Sequence, residues 1–445
     1  MRRYTYPFRW VGFWGIVLAL IFLTACQSGR PLPFLSATET PRPSPTPTAT
    51  ATPPPSPEPV ASPTPSRLEL IWWTPIWFSP ASQTPAGEFL AHRLAQFSEQ
   101  HPDIQVTVRV KPPYGRGGIK DYLLGAYKVA PSILPDVATV DMGDIRTFAP
   151  LGIFQPLEEL LPPESVEAFY PVARQGGMVD EHLLAIQFEA DLFHLAYRQD
   201  LLKTPPPSTW EALLNSAITY ETLIFSAEDE ASDVVLLQYM ASGGPLPYGE
   251  APPLDEQVLL NMYNFYDQAY RRGVIPEESV LPLSEDNIWE ALSEGKISLG
   301  DTRAQLYARK GIQQPHMAPA PIPTWDGKPK TLVQGWGMGI TTGVPERRQA
   351  AVLFLQWLLD AETLGPWSEK AGYISTRRDV LKAWNAPPQY VDLLDRLLLG
   401  GQPYPAPADV SRLRHALAVG LHTLLVEGQA PEEAVRRTVE SYGGP

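Results

Sequence analysis

Three sets of residues in this 445-residue chain carry the means for chemistry. Glu189 and Asp191 stand two apart inside the apolar run LLAIQFEADLFHLAY, from Leu183 to Tyr197. Asp141 and Asp144 close the segment PDVATVDMGD, and Asp301 and Arg303 close EGKISLGDTR. Trp336 stands between Gly335 and Gly337, where the missing Cβ atoms let a ligand or backbone come close. Paired carboxylates can hydrolyse a glycosidic bond. Pairs this close in sequence are common, however, and a hydrolase pair more often joins distant segments. The same groups also suit binding without turnover. Carboxylates, amides and arginine take the hydroxyl rim of a sugar, and aromatic planes take its apolar faces.

Other routes to catalysis are poorly supplied. Ser293-Glu294-Gly295-Lys296 fits S-x-x-K, but no K-T-G or S-D-N follows in order. There is no G-x-S-x-G elbow and no Walker-type phosphate loop. The seven histidines show no H-E-x-x-H spacing, and a single cysteine, Cys26, excludes both an internal disulfide and a cysteine-based metal site. Neither a cofactor nor a metal is expected. Trp73, Trp77, Tyr239, Trp336 and Tyr404 are the candidate aromatic contacts, with Tyr373 at the cleft rim. Asp141, Asp144, Glu189, Asp191, Asp301 and Arg303 are the candidate polar ones. Each has a bland alternative: Tyr239 as helix core, Arg303 as the partner of Asp301, Asp191 as a cap or hinge. Trp72, alternating with Leu68 and Leu70, is expected in the core, as is Trp357 in its apolar helix.

These residues need strand ends to hold them. Alternation predicts strands at the start of Arg67–Trp77, over Ile104–Val110 and over Pro135–Val140, with helices over Glu88–Gln100 and Lys120–Val129 between them. Strand, helix, strand is the beginning of an α/β layer, whose ligands bind beyond the carboxyl ends of the strands. Carboxylates in the middle of the run from Leu183 to Tyr197 suggest a segment passing from one layer to another. Thr209 is the predicted N-cap of the helix that starts TWEALL. Further helices are predicted over Asp233–Met240, Leu254–Arg272, Asn287–Glu294, Gln349–Leu359, Asp392–Leu399, Ser411–Glu427 and Pro431–Ser441. Gly365-Pro366 is read as a break, with an aromatic loop from Trp367 to Tyr373.

Composition narrows the setting. A net charge of −14 and a pI near 5.0 argue against nucleic acid or an anionic surface as partner. Arg2, Arg3 and Arg9 precede an apolar run from Trp10 to Leu23, too short for an ordinary membrane span. The run ends Leu-Thr-Ala-Cys, which resembles the bacterial lipobox and implies cleavage after Ala25 and lipid attachment at Cys26. Residues 27–66 are rich in Pro, Ser and Thr and cannot bury a core. As extended polyproline II they would form a stalk reaching roughly 100 Å.

The order of motifs resembles the family 1 extracellular solute-binding proteins, the sugar-type binding lipoproteins of ABC importers related to maltose-binding protein. FSEQHPDIQVTV (Phe97–Val108), LPDVATVD (Leu134–Asp141), the run Leu183–Leu202 with PPSTWEAL (Pro206–Leu213), EGKISLGD, and GITTGVP with AGYISTRRDV carry the resemblance. Ser375 departs from it, standing where the family often has proline. The resemblance implies a two-lobed α/β fold of the type II periplasmic-binding kind. It implies lobes over 67–186 with 326–384 and over 187–325 with 385–445, following a signal peptide (1–25) and a lipidated linker (26–66). It also implies a monomer with a small-molecule ligand, a sugar, and ABC permease subunits as partners, and no enzymatic activity.

Overall fold

The computed structural model describes residues 67–216, 233–275 and 285–443. Cys26, the signal segment and the proline-rich linker lie outside the described residues. Thirteen strands run through the described chain. They are β1 (Leu68–Thr74), β2 (Ile104–Val110), β3 (Val137–Asp141), β4 (Met178–Val179), β5 (His182–Leu183), β6 (Ile186–Gln187) and β7 (Glu189–Arg198), then β8 (Leu299–Arg303), β9 (Met317–Ala320), β10 (Leu332–Gln334), β11 (Trp336–Ile340), β12 (Ile374–Ser375) and β13 (Gln402–Pro403).

They form two principal sheets. The first has the order β2-β1-β3-β11-β6, with β1 parallel to β2 and β3, and β11 antiparallel to β3 and β6. The second has the order β12-β7-β10-β13, while the far half of β7 pairs with β8 and β9. The last five residues of β1 are buried without alternation, because helices cover both faces. On one face Trp72 meets Phe354 of the helix Pro345–Leu358, with ring centroids 5.7 Å apart. On the other, Trp73 meets Tyr122 of the helix Ile119–Val129 at 6.2 Å. β7 divides its faces in the same way. Phe193, Leu195 and Tyr197 join one core cluster, and Leu192 and Ala196 join another. Each sheet therefore builds its own lobe, as the α/β reading expects.

The chain passes between the sheets at single residues. Phe188 separates β6 from β7, and Gly335 separates β10 from β11. Leu332–Gln334 and Ile374–Ser375 hydrogen-bond in the second sheet, against β7. The amide of Gln187 donates to the carbonyls of both Glu189 and Gln334, each at 2.9 Å. Thr376 closes a third strand of connection, its hydroxyl donating to the Gln187 carbonyl at 2.5 Å.

Several local expectations are corrected. Gly365 and Pro366 do not break the chain; they lie inside a helix, Ala361–Ala371. The Asp360 side chain caps it by accepting from Thr363 N–H at 2.6 Å. Pro366 lies in the middle of that helix and forgoes a single backbone bond, and the helix closes at Gly372 with φ +69°, the left-handed conformation glycine adopts freely. Trp367 is thus a buried helical residue, not part of a loop. Trp357 is only partly buried, stacked under the Arg93 guanidinium at 4.7 Å. Thr209 caps its helix, accepting from Ala212 N–H at 3.1 Å. Among the described residues no helix is long and apolar enough to cross a membrane.

Candidate functional site

A cavity of about 330 Å³ opens where the two sheets meet. From the first sheet it takes Trp77 and Phe78 after β1, Tyr114 after β2, Asp141 at the end of β3 and Trp336 at the start of β11. Because β11 runs antiparallel to β3, Trp336 and Asp141 are register partners at the same sheet end. The opposite wall brings Glu189 and Asp191 from the start of β7, Gln334 from β10, and Gln305 and Arg309 from the helical segment 304–311 after β8. Tyr373, just before β12, also lines it.

The aromatic wall is a cluster. Ring centroids of Trp77, Tyr114 and Trp336 lie 5.5 to 6.4 Å from one another. Phe78 sits behind them, 5.6 Å from Trp336 and 5.5 Å from Tyr373. Trp77 is 37% exposed and Tyr114 57%, whereas Trp336 is only 5% exposed. Trp336 is therefore backing, and the free ring surface belongs to its neighbours. The flanking glycines serve the protein rather than a ligand. A Cβ on Gly335 would lie 2.2 Å from the Glu189 carbonyl, and one on Gly337 2.2 Å from the Met142 sulfur.

The polar wall is more heavily charged. Glu189 is buried and accepts from Trp336 N–H at 2.7 Å and from the Gln305 amide at 2.8 Å, so one carboxyl ties the two walls together. Burial, with Asp191 and Asp141 nearby, pushes its pKa well up. Asp191 accepts from the backbone N–H groups of Leu192 and Gln305 at 3.1 Å. Burial raises its pKa to about 6, against the pull of Arg303 at 3.8 Å. Asp141 takes the Tyr114 hydroxyl at 3.0 Å and Gly143 N–H at 2.9 Å. Its pKa is raised by burial, with Asp144 adding to the shift. Behind this wall Arg303 holds Glu285 at 2.6 Å and Asp233 at 3.3 Å. Asp233 also accepts from the Tyr404 hydroxyl at 2.7 Å and the Gln334 amide at 3.1 Å.

The structure gathers Trp77, Asp141, Glu189, Asp191, Trp336 and Tyr373 around one cavity. The other candidates lie elsewhere. Trp73 is core, since both faces of β1 are covered. Tyr239 is fully buried in the helix Asp233–Ala241, with its ring under Gly244 and its hydroxyl accepting from Asp255 N–H. Asp144 is engaged by Lys120 at 2.6 Å. Asp301 is buried on β8, its pKa raised to about 7 by burial and by Glu285. Arg303 stands behind Asp191 and pairs with Glu285, Asp233 and Asp191, not with Asp301. Tyr404 lines smaller adjoining cavities of about 80 and 300 Å³. Sequence reasoning missed Tyr114, Gln305, Gln334 and Arg309. Tyr114 was findable: the loop PPYGRGG follows a predicted strand at its carboxyl end. The other three sit beside sequence candidates without a distinguishing pattern.

Comparison with known proteins agrees with this architecture. The maltotriose-binding protein of Pyrococcus abyssi is 25% identical over 108 residues, covering 24% of this chain and 20% of the relative. A maltose complex of a Staphylococcus aureus extracellular solute-binding protein superposes with a TM-score of 0.66 at 16% identity, covering 86% of this chain and 98% of that one. The cyclic α-maltosyl-1,6-maltose-binding protein of Arthrobacter globiformis gives 0.65 at 15%, covering 84% and 98%. Maltose-bound MalE3 of T. maritima gives 0.59 at 20%, also covering 84% and 98%. These likenesses establish the shared two-lobed fold. The family model for bacterial extracellular solute-binding proteins matches residues 92–391, which span most of both sheets and the cavity between them, and the chain belongs to that family.

Proposed function

We propose that this protein captures a sugar or oligosaccharide between its lobes and delivers it to the permease subunits of an ABC importer. One observation carries this most directly. An aromatic wall from one sheet faces carboxylate, amide and guanidinium groups from the other across a single cavity. Sugar rings present those two kinds of surface, so a ligand touching both walls favours the closed arrangement. It shifts that equilibrium only by its differential affinity for the two states. Rotation about the crossings at Phe188 and Gly335 is the hinge motion. Trp77 and Tyr114 stack on the ring, Asp141, Asp191 and Gln305 take hydroxyls, and Arg309 and Tyr373 form the rim. Glu189 positions the two walls through Trp336 and Gln305. The function is binding without turnover, by a monomer lipidated at Cys26 and lifted from the membrane by residues 27–66, with lobes divided near the boundaries given above.

Isothermal titration with a panel of mono- and oligosaccharides, paired with small-angle scattering, tests this. A binding sugar is expected to shift tryptophan fluorescence and shrink the scattering radius. A broad panel producing neither binding nor compaction would count decisively against sugar capture.

A further inference from the structure

The charges around the cavity do not balance. Asp141, Glu189 and Asp191 line it, and Arg309 at the exposed rim is the cation among the lining residues. Arg303 is shared among Glu285, Asp233 and Asp191. Lys120, the cation acting on Asp141, is bound to Asp144 at 2.6 Å. The direct partners of Asp141 are the Tyr114 hydroxyl and Gly143 N–H, and those of Glu189 are Trp336 N–H and the Gln305 amide. Asp141, at the carboxyl end of β3, is thus a carboxylate whose direct partners are neutral donors, whereas Glu189 is enclosed between the two walls. Beside Asp141 stand the accessible rings of Trp77 and Tyr114, and the Tyr114 hydroxyl donates its proton toward it. An aromatic face next to an unneutralised carboxylate attracts a cation on both counts.

We propose, building on the sugar capture stated above, that the preferred ligand is a sugar bearing a basic amine, with its ammonium group seated by Asp141 against Trp77 and Tyr114. A neutral sugar can use Asp141 as a hydrogen-bond acceptor, but it leaves that charge uncompensated.

Titration of the full-length chain with matched ligands tests this: the glucosamine disaccharide, the N-acetylated disaccharide, cellobiose, and a simple aliphatic diamine. The free-amine disaccharide is expected to bind at least about tenfold tighter than either neutral counterpart at low salt. That advantage is expected to shrink as salt screens the interaction and to fall toward parity in Asp141→Asn. Trp77→Ala, at an exposed position, is expected to reduce the same advantage and guards against a folding defect in the first variant. Neutral disaccharides binding as tightly as the amine would overturn the inference and leave sugar capture standing. Binding of the diamine without any disaccharide would instead overturn sugar capture and keep the cation preference. No binding by any of the four would weigh against both.

Discussion

Replacing Asp191 with asparagine isolates one charge at the cavity while keeping its scaffold. The asparagine carbonyl can still accept from Leu192 and Gln305 N–H, and Arg303 keeps Glu285 and Asp233. In the folded protein the Asp191 pKa rises from its ordinary 3.8 to about 6. A raised acid pKa means that the folded state holds its proton more tightly than the unfolded chain. The associated stability is fully present below about pH 4 and is lost as pH rises through about 6. A shift of about two pK units corresponds to about 3 kcal/mol. The wild type is therefore expected to lose about 3 kcal/mol more than Asp191→Asn between about pH 4 and about pH 7.5. Urea denaturation of both proteins at both pH values measures this. The useful quantity is the difference between proteins, since Glu189, Asp141 and Asp301 titrate in each. A difference that is the same at both pH values, or that moves toward the wild type as pH rises, would refute the reasoning.

Truncation of the two tryptophans should separate backing from contact. Trp336→Ala is expected to cost about 3–5 kcal/mol in denaturant unfolding, whereas Trp77→Ala changes stability by about 1 kcal/mol or less and weakens sugar binding about tenfold by calorimetry. Asp136 is buried, accepts from Ile71 N–H at 2.7 Å and holds Arg347 through both oxygens at 2.7 and 2.6 Å. Asp136→Ala is expected to cost about 3 kcal/mol in the same assay. Gly335→Ala drives a Cβ into the Glu189 carbonyl at 2.2 Å. It should lower the melting temperature and abolish ligand-dependent compaction in scattering, and unchanged behaviour would show that this crossing is not a pivot.

Much of the layer architecture was legible because its signals are local. The alternation in Ile104–Val110 predicts a strand that the structure reproduces. The carboxylates inside Leu183–Tyr197 mark the passage from β6 to β7, where apolar continuity is interrupted by groups facing a cavity. Site membership was less legible because it depends on what covers each face. Trp73 and Trp77 look alike in sequence, yet Trp73 lies under a helix and Trp77 beyond the strand end. Tyr239 and Tyr404 present the same problem. Both carry a phenol near a predicted element end, and only tertiary packing commits the first to core and the second to Asp233. The Trp336 glycines promised an open face, but close approach by Glu189 and Met142 uses that space. The Arg303 network joins residues 191, 233, 285 and 303, and no short-range pattern in one sequence connects them.

The Gln187 amide gives the crossings a mechanical grain. By holding the carbonyls of Glu189 and Gln334 at once, it links two neighbouring pivots at one level. Bending both strands together leaves these bonds in place. Sliding one crossing past the other breaks a bond on each, at roughly 1 kcal/mol apiece. The joint is therefore compliant in flexion and stiff in shear. Under the proposed hinge motion, lobes coupled this way would return to the same registration at each closure, so that a ligand would meet both walls in one alignment, not in a family of offsets.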